Sequence, residues 1–146
     1  MAHLYTAKAH VKGGRNGHGR TDDGILDLDL KRPGAMGGDG GATNPEQLFA
    51  IAYGACFEGA LAAVARRTRV DVGQTSVDST VELHSREDGT FGIEVELAVT
   101  LPGVTDAETA KDLVAQAHLV CPYSNALRGN VDVVLSANGE HVAGAR

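Results

Sequence analysis

The sequence has no tryptophan, an aromatic content of only 4% and just two cysteines. With so few aromatic rings, its core has to be built mainly from aliphatic side chains. Cationic surface is scarce as well. Thirteen Lys and Arg stand against 19 Asp and Glu for a net charge of -6, and no basic cluster is denser than Arg66, Arg67 and Arg69. A nucleic acid or an anionic lipid surface needs a broader basic footprint than that. The opening MAHLYTAKAHVKGG contains no apolar h-region, and the longest apolar stretch, from about Leu48 to Ala65, is interrupted by Glu58 and by small residues. The expectation is a soluble, cytoplasmic protein with neither nucleic acid nor membrane as partner. No phosphate-loop, flavin or nicotinamide pattern occurs, so no bound cofactor is expected.

What is present is ordinary globular material: 42% apolar and 22% charged residues, with 19 glycines. At 146 residues the chain suits one domain spanning 1–146. Short alternating patterns at His3 to Val11 and Ile25 to Leu30 predict strands. The glycine-rich stretches Gly13 to Gly19 and Gly34 to Gly41 predict loops. Asn44, Pro45 and Gln47 form a helix start, with Asn44 as N-cap and Pro45 at the first helical position. The helix can run to about Arg69, with Leu48, Ile51, Ala52, Ala55, Gly59, Ala62 and Ala63 as a small-residue packing face.

Thr75 to His84 and Phe91 to Leu101 alternate strictly and are joined through Asp88 and Gly89, which predicts a hairpin. Thr105 with Glu108 reads as a capping box for a second helix through Ala107, Leu113, Val114, Ala117 and Val120, which Pro122 should end or bend. Val131 to Leu135 predicts a last strand, followed by a frayed tail from Asn138. The order implies an α+β domain.

The cysteines lie in AYGACFEGAL (Cys56) and AHLVCPYSNALRGN (Cys121). They form no C-x-x-C pair, so a disulfide between them would have to join the two main helices through space. Taken singly, each reads more readily as a buried core thiol than as a reactive one. A reducing cytosol disfavours a structural disulfide but leaves inert thiols and a redox pair both open.

Four segments in order, GGRNG (Gly13 to Gly17), TNPEQLFA (Thr43 to Ala50), ACF (Ala55 to Phe57) and VCPYSNALRGN (Val120 to Asn130), resemble the organic hydroperoxide resistance (Ohr) branch of the OsmC/Ohr family. The related osmotically induced branch shares the cysteines, but CPYSNALRGN is closer to the Ohr branch. The resemblance covers about Leu4 to Leu135. It implies an OsmC/Ohr-like fold, with antiparallel strands around long central helices, in an intertwined homodimer. It also implies a peroxidase in which Cys56 attacks an organic hydroperoxide, Cys121 resolves the resulting sulfenic acid, and an external dithiol of lipoyl type recycles the disulfide. Arg15 and Glu46 are the arginine and glutamate that the family pattern sets beside the reactive sulfur.

The chemistry independently asks for such neighbours, because an unperturbed thiol, with a pKa of about 8.5, is mostly protonated at neutral pH. Arg15 cannot lose its proton and can stabilise both thiolate and departing alkoxide, and Glu46 can hold its guanidinium by a bidentate contact. On one straight helix Glu46 and Cys56 are about 15 Å apart and turned by roughly 80°. Three geometries remain open: a bend near Gly54, a bridging Arg15, or a site completed by a second copy of the chain. Arg20 is the competing arginine.

Met36, Phe49, Phe57 and Leu127 are candidate walls of a peroxide pocket. Such a pocket would favour alkyl or fatty-acid hydroperoxides, since each buried methylene contributes about 0.8 kcal/mol. His118 and Cys121 have the spacing of half a zinc site, with His3, His10, His18, His84 and His141 as further donors, but no second paired motif completes it, and His118 is expected at the surface or helix end. Asp22, Asp23, Asp27 and Asp29 lack the calcium-loop pattern. The competing function is a non-catalytic dimeric binder of a small apolar ligand, which would lack fast thiol oxidation.

Overall fold

The computed structural model describes residues 1–144 and divides into two compact units, Met1–Leu48 and Phe49–Arg146. The N-terminal unit is a three-stranded antiparallel sheet of β1 (Ala9–Lys12), β2 (His18–Thr21) and β3 (Asp27–Asp29) in that order. Its strands are shorter than the alternation suggested: residues 3–8 are outside any strand, and Ile25 and Leu26 are exposed. Strands of three or four residues with no buried side chain of their own cannot recruit longer flanks by burial, and the buried Leu30 lies just beyond β3.

The glycine-rich stretches, expected to be irregular, carry defined structure. Gly14–Asn16 is a single 3-10 turn entering β2 at His18, and Gly34–Met36 is another. Glycine is required at two of these positions. A Cβ on Gly17 would collide with the Lys12 carbonyl, and one on Gly38 with that of Arg32. Hydrogen bonds then tie the segments together: Leu30 N–H to Gly17 O at 2.8 Å, Lys31 N–H to Thr43 O at 2.9 Å, and Arg32 N–H to Asn16 Oδ1 at 3.0 Å. A loop closed by its own backbone groups does not need an apolar core.

Helix α1 (Pro45–Thr68) starts as expected, with Asn44 Oδ1 accepting the Gln47 N–H at 2.9 Å. It runs unbroken through Gly54 and stops where Arg69 turns to φ 59, with the Val70 N–H reaching back to Ala65 O at 3.1 Å. Its buried face is not the small-residue one. Tyr53, Phe57, Leu61 and Val64 are buried, whereas Ile51 is 73% exposed and Ala55 and Gly59 are also exposed. The larger side chains win that face because they remove more apolar area from water.

In the C-terminal unit, β4 (Ser76–Ser85) and β5 (Phe91–Thr100) form the expected hairpin, with Gly89 at φ 82 in its turn. β5 then pairs in parallel with β6 (Val133–Ala137), and β6 pairs with β7 (Glu140–His141), giving the sheet order β4-β5-β6-β7. A parallel pair needs a long crossover, and α2 (Ala107–Val120) with α3 (Pro122–Leu127) supplies it. Alternation sends Val95, Leu97 and Val99 of β5 and Val133, Leu135 and Ala137 of β6 into the core. There they meet Ala110, Leu113, Val114 and Ala117 of α2 and the buried face of α1.

The N-cap of α2 is Asp106, not Thr105: Asp106 Oδ2 accepts the Thr109 N–H at 2.8 Å and its hydroxyl at 2.6 Å. The tail from Asn138 is also not frayed, and β6 is not the last strand. Asn138, at φ 48, accepts the Leu101 N–H at 2.7 Å and donates to the Leu101 and Val104 carbonyls, both at 3.1 Å. Those bonds pin the turn into β7, and Val142 beyond it is buried. The last two residues of the expected frayed tail, 145 and 146, lie outside the described residues.

Candidate active site

The two cysteines, in different helical segments, meet in the C-terminal unit. Cys56 is in the fourth turn of α1, and Cys121 is the shared corner residue that ends α2 and caps α3, where Pro122 occupies the first helical position. That corner is set by local chemistry. Pro122 has no N–H to continue α2, and it starts α3 without penalty. The last carbonyls of α2 are capped by side chains: Arg128 Nη2 donates to His118 O at 3.1 Å, and Asn125 Nδ2 donates to Leu119 O at 3.2 Å. Asn125 and Arg128 also bond each other at 3.0 Å. The tract CPYSNALR thereby fixes where Cys121 points.

Cys121 Sγ lies 3.6 Å from Cys56 Sγ, and both thiols are free. Cys121 is fully buried and Cys56 partly so. Burial pushes the Cys56 thiol up from its ordinary range, the Tyr123 N–H directed at its sulfur pulls it down, and the adjacent Cys121 sulfur adds to the rise.

Arg15 and Glu46 meet in the N-terminal unit. Arg15 sits in the 3-10 turn and Glu46 in the first turn of α1, and the guanidinium makes two parallel bonds, Nη1 to Oε2 at 2.7 Å and Nη2 to Oε1 at 2.6 Å. This is the bidentate geometry expected for the pair. The contact raises the Arg15 pKa and lowers that of Glu46, so both remain charged at neutral pH. A third of the Arg15 side chain is exposed. Arg20, the competing candidate, instead faces Asp27 at 3.4 Å.

Among the proposed pocket residues, Phe57 is fully buried in the core, and Phe49 and Leu127 pack against it. Phe49 stacks on Tyr123 with ring centroids 5.7 Å apart, and Tyr53 completes an aromatic trio at 5.8 Å from Phe49 and 5.7 Å from Tyr123. Met36 ends the second 3-10 turn of the N-terminal unit and is exposed. Tyr53, Tyr123 and Ser124 were not singled out from the sequence. Their signal was positional: Tyr53 is three residues before Cys56, and Ser124 three after Cys121.

His118 is buried rather than at the surface, with its Nδ1 unpartnered, and burial followed by the nearby Arg128 charge lowers its pKa. Its place in the last turn of α2 is as expected, but the ring turns into the core. Together with Cys121 it gathers no third metal donor among the described residues. Three donors do converge on the exposed residues Glu82, His84 and Glu94.

Residues 38–136 match the family model described as OsmC-like protein. The chain is 50% identical over 135 residues to the organic hydroperoxide resistance protein of Xanthomonas axonopodis pv. citri, an alignment covering 91% of this chain and 94% of that one. Among solved structures it is similar to an organic hydroperoxide resistance protein from Legionella pneumophila at 50% identity and a TM-score of 0.89, covering 92% of this chain and 98% of that one. A Vibrio cholerae structure, described as a putative organic hydroperoxide resistance protein with captopril bound in one of its active sites, matches at 46% identity and a TM-score of 0.92, with coverages of 97% and 96%.

Proposed function

This chain belongs to the OsmC-like family, and from that premise we propose that it acts in organic hydroperoxide resistance as a thiol-dependent peroxidase. Cys56 thiolate attacks the peroxide O–O bond and releases an alcohol. The sulfur becomes a sulfenic acid, which condenses with the Cys121 thiol to a disulfide and water. An external dithiol, of lipoyl type, reduces that disulfide by exchange. The observation that carries this reading is the 3.6 Å separation of two free thiols, one of them completely buried. A closure of about 1.5 Å reaches the S–S bond length of roughly 2.05 Å.

Arg15, oriented by Glu46, is the cation proposed to favour the thiolate and to steady the developing alkoxide, acting on Cys56 of its own chain or of a second copy. The bidentate pair supports that role because it leaves the guanidinium charged and directionally fixed. We propose further a cytoplasmic homodimer with no bound cofactor or metal, and a peroxide site walled by Phe49, Phe57, Leu127 and Met36. The deciding experiment mixes the protein with a stoichiometric alkyl hydroperoxide and follows thiol loss by stopped flow. Rapid loss of both thiols is expected, whereas oxidation at the slow rate of an ordinary cysteine would reject the peroxidase.

A further inference from the structure

The sulfur pair has a parallel cross-tie one helical turn away. Tyr53 precedes Cys56 by three residues in α1, so both fall on the same side of that helix. Ser124 follows Cys121 by three residues and lies on α3. The Tyr53 hydroxyl and Ser124 Oγ are 2.9 Å apart, and both residues are completely buried. The two segments that carry the cysteines are therefore joined twice, once by sulfur at 3.6 Å and once by oxygen.

We propose that the Tyr53–Ser124 hydrogen bond is the positioning element for resolution, holding the Cys121 corner against α1 so that the sulfenic acid is captured within the chain. This inference rests on the thiol-peroxidase reading. Resolution breaks the S–O bond of Cys56–S–OH and the S–H bond of Cys121, forms the S–S bond, and releases hydroxide and proton together as water. The Cys121 sulfur is oxidised and the Cys56 sulfur reduced, so no further reagent is needed. What the step does need is alignment, because an off-line approach of the attacking sulfur by even about 1 Å costs a large factor in rate.

The surroundings favour a rigid tie over a loose one. Tyr53 is wedged between Phe49 and Tyr123, with centroids 5.8 and 5.7 Å away, and Tyr123 supplies the backbone N–H directed at the Cys56 sulfur. Burial raises the Tyr53 pKa, which keeps the hydroxyl neutral and able to donate. A buried hydroxyl pair holds its geometry because losing either partner leaves the other unsatisfied.

The test uses Tyr53→Phe, Ser124→Ala and the double variant, which leaves no orphan hydroxyl and so keeps the fold accessible even if a single variant is unstable. Two quantities are read: the rate of first oxidation by cumene hydroperoxide, and the lifetime of the sulfenic acid captured by a dimedone probe. All three variants are expected to lengthen that lifetime at least tenfold while first oxidation changes less than twofold. A third readout needs no peroxide: the equilibrium of the Cys56–Cys121 disulfide with dithiothreitol should shift at least fivefold toward the dithiol. If wild type showed no fast peroxide oxidation, the peroxidase reading would fail, and this equilibrium would still judge the tie. An unchanged sulfenic lifetime and dithiol equilibrium in the double variant, or equal slowing of both chemical steps, would overturn the proposal.

Discussion

Met1–Leu48 and Phe49–Arg146 each hold a pair of functional candidates, and they hold them by different physics. In the first unit, Leu30 is the only buried apolar residue among those described, and Arg15 and Glu46 are fixed by a 3-10 turn, backbone bonds between glycine-rich segments and their own bidentate contact. In the second, Cys56 and Cys121 are fixed by a continuous apolar core and an aromatic trio. Charged groups can be oriented near water by directional bonds. Sulfur atoms, which make weak hydrogen bonds themselves, are placed by the segments that carry them, through packing and through the bonds those segments make, namely the capped Cys121 corner and the Tyr53–Ser124 pair. Substitutions should accordingly impair chemistry more than folding in the first unit, and folding as readily as chemistry in the second.

The cysteines give the largest expected effect. Cys56→Ser should abolish peroxide turnover, while Cys121→Ser should consume about one equivalent and stall as a sulfenic acid or mixed disulfide. Mass spectrometry of the stalled protein checks this, and the opposite pattern would exchange the two roles.

Arg15→Ala should slow oxidation at pH 7 by about 100-fold, in the range for losing one charge-stabilising donor. Stability should fall by less than about 1 kcal/mol, because the ion pair is part-exposed and screened by solvent. Since Cys56 is already raised by burial, its thiolate fraction increases with pH, and part of the lost rate should return in alkaline buffer. Lys at this position should rescue poorly, lacking the planar fork that grips Glu46. A pH series of thiol loss with Arg20→Ala alongside measures this, and a collapse confined to Arg20→Ala would transfer the role.

Core substitution sharpens the contrast in the other direction. Leu97→Ala, at a fully buried position of β5, should cost about 2–5 kcal/mol in urea denaturation. Ile25→Ala, 81% exposed in the N-terminal unit, should stay within about 0.5 kcal/mol. Equal losses would show that the first unit has a packing requirement like that of the second.

The smallest expected effect is electrostatic. His18 places Nδ1 2.9 Å from Asp29 and Nε2 2.6 Å from Asp27, so that the protonated ring can donate to a carboxylate from each nitrogen. Its pKa is raised, by the Asp29 hydrogen bond first and the Asp27 one next. A raised folded-state pKa gives stability that is complete below the unfolded value and disappears as pH rises through the folded one. Glu46, whose pKa is lowered chiefly by Arg15, works oppositely: its contribution is present above the ordinary glutamate range and is lost on acidification through the folded value. Hydrogen exchange of β2 and β3 between pH 5 and about 9 should show faster opening at the alkaline end, and His18→Gln should flatten that slope.

Local chemistry was readable in the residues themselves. Asn44 and Pro45 announce α1, Asp88 and Gly89 the β4–β5 turn, and strict alternation the core face of β5, because caps, turns and pleats depend on neighbours within a few positions. The order of elements and the α+β class followed from the same signals. The resemblance in GGRNG, TNPEQLFA, ACF and VCPYSNALRGN named the family and singled out Cys56, Cys121, Arg15 and Glu46. Tertiary structure decided the rest. Which side of α1 is buried could not be read from a helix apolar nearly all round, since only the sheet opposite chooses Tyr53 and Phe57 over Ile51 and Ala55. The parallel β5–β6 pairing, the role of Asn138, the burial of His118 and the Tyr53–Ser124 tie all join residues distant in sequence. Contacts of that kind form only when the whole core closes, which leaves no mark on any local stretch of chain.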